Sequence, residues 1–319
     1  MSSSRLANDA VVNSFPFRLL PLVAKMKVGA YKSLVILGKY PRNLIEEMRT
    51  SSPIVRHDWV RRLLHWSNAL LITIALMTGL QILNAHPQLY WGQTGLTSEQ
   101  AVLEIYSLAL ADGSAAGRLR IGNHVMTTTG VLGISVDTHG GPVLQAFPHW
   151  ATIPGGLDLA AGRRWHFIVA WLLVFTSSVF LIATAKSGHL RREILPRPDD
   201  LAPARLLRDV RNHVRMRLDL NKGGVQYNPL QKLAYSIIIF LLGPLLLATG
   251  LTMSPGLDAA WPWLPDFFGG RQSARTLHFG AAMAVVAFVV IHIIMVMVSN
   301  PVKQIRAMIT GRVNSASPE

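Results

Sequence analysis

The sequence predicts an all-α integral membrane protein built on a four-helix transmembrane bundle. Half of the 319 residues are hydrophobic and only 15% are charged, which is unusually apolar for a soluble domain of this length. Four uncharged stretches are each long enough to cross a bilayer as a helix, which takes about 20 residues. The basic residues lie unevenly between these stretches, as membrane topology requires.

The four uncharged stretches are the predicted spans, and all are rich in Leu, Ile, Val, Ala and Phe. They are Leu63–Leu83, Trp165–Ala185, Leu233–Met253 and Leu277–Val298. Pro244 falls inside the third span, directly after Gly243. Proline would kink a soluble helix, but transmembrane helices tolerate it because neighbouring groups satisfy the freed backbone.

The distribution of positive charge orients the predicted bundle. Of the 31 Lys and Arg residues, 25 lie before the first span, between the second and third, or after the fourth. Since positive residues stay on the cytoplasmic side, both termini are predicted to be cytoplasmic, in the inner membrane of a bacterium. The connections 85–162 and 254–275 then face the periplasm.

These connections and termini complete the predicted organisation. The long periplasmic loop, residues 85–162, exceeds a plain turn, and we expect it to cap the bundle or to serve as a docking platform. Residues 1–56 form a basic cytoplasmic N-terminal arm, residues 57–312 the membrane domain and residues 313–319 a C-terminal tail. The net charge of +14 would also suit nucleic-acid binding, but the uncharged stretches favour membrane lipid as the partner.

Histidine is the available metal ligand, because the chain has no cysteine. This excludes disulfides, thiolate metal sites, cysteine-ligated iron–sulfur clusters and covalently attached c-type haem. Four of the 11 histidines lie inside the spans: His65 in the first, His166 in the second, and His278 and His292 in the fourth. Ionisable side chains at such depth are costly and usually functional.

Helix direction sorts these histidines into two levels. The first span runs outward and the second and fourth run inward, so His65 and His292 share the cytoplasmic level and His166 and His278 the periplasmic level. Positions 278 and 292 are 14 residues apart, which places them about 40° apart around the helix and about 21 Å apart along it. One helix would thus offer an axial ligand to each of two b-type haems, whose irons are held by the pairs His65/His292 and His166/His278. Two imidazoles leave no coordination position open, which suits reversible electron transfer.

Three arginines each precede one of these histidines by three residues. They are Arg62, Arg163 and Arg275. Residues three apart share a helix face, so each arginine could bind a haem propionate at the membrane edge. The same positions also suit plain anchors of helix ends, and both interpretations stay open.

The motifs around these histidines carry a family resemblance. They comprise Arg62–Trp66, Asp158–Phe167, and His278 with His292. With them the chain resembles, from about Arg56 to Arg312, the diheme cytochrome b subunits that anchor respiratory formate dehydrogenases, nickel–iron hydrogenases and thiosulfate reductases. It is most similar to the thiosulfate reductase type. The resemblance implies four transmembrane helices, two b-type haems and a quinone site beside the cytoplasmic haem.

The stretch Tyr227–Lys232 resembles the quinone-pocket motif of that family. The resemblance implies that Asn228, Gln231 and Lys232 contact quinone, although the family commonly has a glycine where this chain has Leu230. Asn228 directly before a proline also has the pattern of a helix N-cap followed by proline at the first helical position. The motif is therefore either a quinone pocket or a helix cap.

The long loop also resembles that of the thiosulfate reductase type, in Thr127–Gly133 and Phe147–Thr152. This implies a periplasmic molybdopterin oxidoreductase as the redox partner, so the predicted function is electron transfer between that partner and the quinone pool. Two alternatives remain. One is a stand-alone diheme cytochrome that oxidises a small reductant such as superoxide. The other is a haem-free membrane anchor or transporter whose histidines form a proton path.

Overall fold

The structure, a computed structural model, describes residues 54–55, 59–96, 98–136, 140–214 and 228–313. The rest of the chain lies outside the described residues, including nearly all of the predicted N-terminal arm, Tyr227 of the quinone motif and residues 314–319 of the tail. The chain divides into two compact units, residues 63–300 and residues 1–62 with 301–319. The domain boundaries expected from the sequence stay a prediction.

Long helices alternate with short strands along the described chain. In the first half these elements are β1 Ile54–Val55, α1 Trp59–Asn84, β2 Gln88–Leu89, β3 Leu103–Ala109, β4 Ala115–Ile121, β5 His124–Thr127, β6 Ser135–Val136, β7 Pro142–Val143 and α2 Leu159–Lys186. In the second half they are α3 Pro203–Val214, α4 Pro229–Ile237, α5 Gly243–Thr252, α6 Pro255–Ala260, α7 Trp263–Phe267, α8 Arg271–Val298, α9 Pro301–Thr310 and β8 Arg312–Val313.

Four helical segments of the described chain are long and apolar enough to cross a membrane. They are Trp59–Asn84, Leu159–Lys186, Pro229–Thr252 and Arg271–Val298. Three predicted spans fall wholly inside these helices, and the predicted third span extends one residue past its helix. Large apolar side chains on the spans point outward, including Leu70, Phe175 and Ile291. The predicted four-helix membrane fold is confirmed.

The third span contains a π-helical turn where the sequence places proline. Between α4 and α5, residues Ile238–Leu242 form this wider turn, just before Pro244. Proline donates no hydrogen bond, and its ring clashes with the carbonyl four residues earlier. A Cβ at Gly243 would lie 3.3 Å from the Ile238 carbonyl oxygen. The wider turn accommodates the proline, so the span continues without breaking.

The long loop folds into an antiparallel sheet with the order β2-β3-β4-β5. The β3–β4 ladder pairs Leu103 with Ile121 and ends where Ala109 meets Ala115. Both hairpins turn at glycines with positive φ, Gly113 at 81° and Gly122 at 54°. The sequence analysis assigned no strands here. The available signal was the Asp–Gly and Gly–Asn turn pairs between apolar stretches.

An apolar cluster joins the sheet to the ends of α1 and α8. Its buried members are Leu83, Leu89, Ile105, Ala146 and Phe147, and Phe279 of α8 packs against them. The side chain of Asn84 accepts a 2.8 Å hydrogen bond from the Phe147 N–H. The hydroxyl of Thr276 donates to the carbonyl of Tyr90 at 2.6 Å. The loop therefore forms a cap that is fastened directly to the spans.

A glycine permits the closest backbone approach between this cap and α8. Gly270, the residue before α8, has φ 115°. A Cβ at this position would lie 2.2 Å from the carbonyl oxygen of Gly92. The next turn is held by the Gly92 N–H, which donates to the Ser273 hydroxyl at 2.8 Å. Any larger residue at 270 would push the cap away from the helix.

The smaller unit joins the start of α1 to the C-terminal helix. β1 pairs with β8 in antiparallel register, with Ile54 opposite Val313. The guanidinium of Arg62 donates a hydrogen bond to the carbonyl of Ile309 in α9. These contacts connect segments that are almost the whole chain apart in sequence.

Candidate functional site

Two pairs of histidine rings face each other within the larger unit. The ring centroids of His166 on α2 and His278 on α8 are 6.2 Å apart. Those of His65 on α1 and His292 on α8 are 6.4 Å apart. The structure therefore brings together the same histidines that helix direction places at common levels.

Both separations fit an iron ion between two imidazoles. A metal–nitrogen bond of about 2.0 Å on each side, with each ring centroid about 1.1 Å behind its nitrogen, gives about 6.2 Å between centroids. Among the described residues, no group of three or more His, Asp or Glu side chains could hold a bare metal ion. Paired axial ligands suit a metal whose other positions are filled by a macrocycle, as in haem.

Hydrogen bonds from α1 orient the His166 ring. Its Nδ1 lies 3.1 Å from the hydroxyl oxygen of Thr78 and 3.0 Å from the carbonyl oxygen of Ala75. The Thr78 hydroxyl donates its own hydrogen to the Ile74 carbonyl at 2.7 Å, so it accepts from His166. Nδ1 therefore carries the hydrogen, and the lone pair of Nε2 is left to bind a metal.

The same arrangement recurs at His278, which is oriented by α5. Its Nδ1 lies 3.0 Å from the hydroxyl oxygen of Thr249. That hydroxyl donates to the Leu245 carbonyl at 2.6 Å. Thr78 and Thr249 are both fully buried, so water cannot replace either contact.

A glycine follows each of these threonines and lies under the histidine ring. A Cβ at Gly79 would lie 3.4 Å from Cε1 of His166, and a Cβ at Gly250 would lie 3.4 Å from Cε1 of His278. None of these four residues beside the rings was predicted from the sequence. The signal was present as the tripeptide Thr-Gly-Leu, which occurs at 78–80 in the first span and again at 249–251 in the third.

The pair formed by His65 and His292 has different neighbours. Nδ1 of His65 is buried and has no hydrogen-bond partner within the described part of the chain. The ring of His292 stacks on Phe288 with 6.0 Å between centroids. Phe288 in turn meets Tyr235 of α4 edge to face at 6.0 Å. A line of aromatic rings thus runs from the third span to His292.

The three arginines predicted to bind propionates have separate surroundings. Arg275 donates a hydrogen bond to the carbonyl of His86, at the start of the cap. Burial and the charge of Arg275 together lower the pKa of the His86 imidazole below its ordinary value. Arg163 is exposed, and Arg62 bonds Ile309 as described above. Their role at propionates stays a prediction.

The predicted quinone residues begin the third span. Asn228 caps α4: its side-chain oxygen accepts from the Gln231 N–H at 2.8 Å, and the Gln231 side-chain oxygen accepts from the Asn228 N–H at 3.3 Å. Lys232 is buried, and its Nζ lies 3.3 Å from a carboxylate oxygen of Asp200. The helix cap that the sequence left open as an alternative is therefore present, and quinone contact stays a prediction.

Comparison with known proteins agrees with this geometry. The model of a family described as prokaryotic cytochrome b561 matches residues 56–311. A protein of Azospira oryzae, whose name describes it as protein-methionine-sulfoxide reductase subunit YedZ1, is 30% identical over 141 residues. That match covers 43% of this chain and 66% of the relative, slightly less than two thirds of the relative's length. No solved structure matches the chain.

The family match bears on the resemblance found in the sequence motifs. It covers most of the chain, including all four spans and all four paired histidines. The expectation of a b-type cytochrome membrane subunit is confirmed at the level of the family. The chain belongs to the prokaryotic cytochrome b561 family, multi-pass membrane electron-transfer proteins that bind b-type haem.

Proposed function

We propose that this protein holds two b-type haems and passes electrons between the quinone pool and a periplasmic oxidoreductase. The proposal rests on the two histidine pairs, because the ring centroids in each pair are separated by a distance that fits an iron between two imidazoles. His166 and His278 would bind the outer haem, and His65 and His292 the inner haem. Haem, when bound, supplies reversible one-electron transfer.

The protein's own contribution is to fix the ligands. Thr78 and Thr249 accept hydrogen bonds from Nδ1 of the two outer rings, so each ring is held in the tautomer whose Nε2 lone pair is free to bind a metal. Because α8 carries one ligand of each pair, its 14-residue spacing places His278 and His292 about 21 Å apart along the helix. Arg163 and Arg275 at the outer level and Arg62 at the inner level would bind propionates.

The quinone site belongs to the inner end of the third span. Asn228, Gln231 and Lys232 begin α4 there. Tyr235 lies three residues after Lys232, on the same helix face, and it connects through Phe288 to His292. This aromatic contact supports electron transfer between quinone bound at the start of α4 and the inner haem.

A periplasmic partner is supported by the relative and by the cap. The name of the Azospira oryzae relative describes a subunit of a methionine-sulfoxide reductase, and the loop motifs resemble subunits that accompany molybdopterin enzymes. The cap covers the outer ends of α1 and α8, where it would dock such an enzyme close to the outer haem. The protein then lies in a bacterial inner membrane with both termini in the cytoplasm.

Haem quantification tests this proposal. The purified protein should contain two b-type haems per chain in a reduced-minus-oxidised absorption spectrum. His278→Ala and His65→Ala should each lose one haem, from the outer and the inner site respectively. His124→Ala, on the exposed strand β5, is the control and should keep both. Absence of haem, or haem content unchanged in both ligand variants, would refute the assignment.

The quinone site is tested separately. A quinol analogue should reduce the inner haem of His278→Ala as fast as that of the native protein. Lys232→Ala should slow this reduction while the haem content stays at two per chain. Equal reduction rates in Lys232→Ala and the native protein would remove the quinone assignment and leave the haem assignment standing.

A further inference from the structure

The amphipathic helix α3, which lies outside the spans, has two large apolar side chains turned away from the protein. Leu207 is 71% exposed and Val210 is 41% exposed. On other faces of the helix, Leu206, Asp209 and Asn212 are half-buried. Part of the apolar surface of α3 is therefore left uncovered, unlike that of a helix that packs its whole apolar face into a core.

Helix α9 also has an apolar stripe that faces outward. Val302 is 75% exposed and Ile309 is 60% exposed, with Ile305 also outward. Ala307, on another face, is buried. Positions 302, 305 and 309 form one stripe because they are three and seven residues apart on a helix of 3.6 residues per turn.

The two helices share one sequence pattern. Each has exposed apolar residues at the first and fourth positions of the stripe and arginine at the fifth. These residues are Leu207, Val210 and Arg211 in α3, and Val302, Ile305 and Arg306 in α9. Arg211 and Arg306 are exposed beside their stripes. An outward apolar stripe with adjacent arginine is typical of helices that lie in the headgroup layer of a bilayer.

Both helices also follow spans at the end predicted to be cytoplasmic. α2 ends at Lys186 and α3 begins at Pro203, while α8 ends at Val298 and α9 begins at Pro301. Each helix is therefore tethered within reach of the same membrane surface. Anionic headgroups attract an adjacent Arg or Lys by about 1 kcal/mol, so the arginines favour an anionic surface over a neutral one.

We propose that α3 and α9 are interfacial helices that insert their apolar stripes into the inner leaflet and bind anionic phospholipid headgroups through Arg208, Arg211 and Arg306. This surface is independent of the haems. It has one consequence for the larger unit, because α3 packs against α4, the helix that begins with Asn228 and the buried Lys232. Anionic lipid would therefore stabilise the start of the third span.

Site-specific labelling of the full-length protein tests this, because the chain has no native cysteine. Leu207→Cys and Ile309→Cys would carry a fluorophore on the stripes. Arg205→Cys is the matched control, because Arg205 is exposed on the face of α3 opposite Leu207. Each protein is reconstituted in nanodiscs of phosphatidylcholine alone or mixed with phosphatidylglycerol, and is accepted only when its circular dichroism matches that of the native chain.

In the mixed bilayer, nitroxide-bearing lipid should quench the two stripe labels strongly and aqueous iodide should quench them weakly. The control label at position 205 should show the reverse. Adding Arg211→Gln to Leu207→Cys should reduce the ratio of inserted to free α3 about fivefold, the equivalent of ~1 kcal/mol. Equal iodide quenching of stripe and control labels would overturn the proposal. Identical insertion in the two bilayers would overturn the claim that the arginines bind anionic headgroups. Shielding from both quenchers would indicate a protein partner and would also overturn it.

Discussion

Thr249→Val removes one hydroxyl from the contact between α5 and His278 and leaves the side-chain shape nearly unchanged. The Thr249 oxygen lies 3.0 Å from Nδ1 of His278, and the residue has no exposed surface. Water therefore cannot take over the lost contact. A neutral hydrogen bond contributes about 1 kcal/mol, so the outer haem should dissociate about fivefold more readily.

The electronic effect has a defined direction as well. An Nδ1–H that donates to an acceptor makes the imidazole a stronger electron donor to a bound metal. Loss of the Thr249 acceptor should therefore raise the midpoint potential of the outer haem. Thr78→Val should act in the same direction through His166 but more weakly, because the Ala75 carbonyl oxygen, 3.0 Å from Nδ1, still accepts a hydrogen bond there.

Thr252→Val is the matched control for this prediction. Thr252 is also fully buried, and its hydroxyl also donates to the carbonyl four residues earlier, that of Ala248, at 2.9 Å. Haem transfer to apomyoglobin would measure the dissociation rate, and a spectroscopic redox titration would measure the potential. If Thr249→Val and Thr252→Val give the same rate and the same potential, the orienting role of Thr249 is wrong.

Three further predictions follow from single contacts. Gly250→Ala should keep the outer haem, because the added Cβ would be in ordinary contact with the His278 ring. Gly250→Leu should lose the outer haem and keep the inner one. Haem quantification distinguishes these two results. The pKa of Asp200 is lowered by the hydrogen bond from the Arg197 N–H and by Lys232. The ionised carboxylate of Asp200 thus stabilises the connection between α2 and α4 at any pH above the ordinary carboxyl pKa of about 3.9. This stabilisation is lost as the pH falls through the lowered pKa of Asp200. Hydrogen exchange in α3 should rise across that acidic range and should already be fast at neutral pH in Asp200→Asn. Phe288→Leu should slow quinol-driven reduction of the inner haem several-fold with unchanged haem content, and equal rates would exclude the aromatic contact as a route.

The extent to which the sequence anticipated the molecule differs between its parts. Hydropathy located the spans because about 20 apolar residues in succession are a property of one segment. The sheet of the cap was not anticipated, since its strands are short and their pairing depends on chain contacts that no single segment specifies. The Asp112–Gly113 turn was a visible signal, but a turn alone does not show which strands pair.

The start of the third span illustrates a motif with two readings. Asn228 before Pro229 has the pattern of an N-cap, and the structure contains that cap with Gln231 as its reciprocal partner. The ion pair of Lys232 with Asp200 could not be read from the sequence, because the two residues are 32 positions apart. The carboxylate of Asp200 comes close to α4 only when the segment between α2 and α4 is folded.

By itself, the sequence determined the four spans and predicted their orientation and the two levels of histidine, because helix rise, helix period, charge and hydropathy act within single segments. The tertiary structure decided which groups surround each ring. Thr78 reaches His166 from another helix, as Thr249 reaches His278. Such contacts depend on the rotation and depth at which helices pack, which are set by many side chains together. The same reason separates the oriented outer pair from the inner pair, where Nδ1 of His65 lacks a hydrogen-bond partner among the described residues.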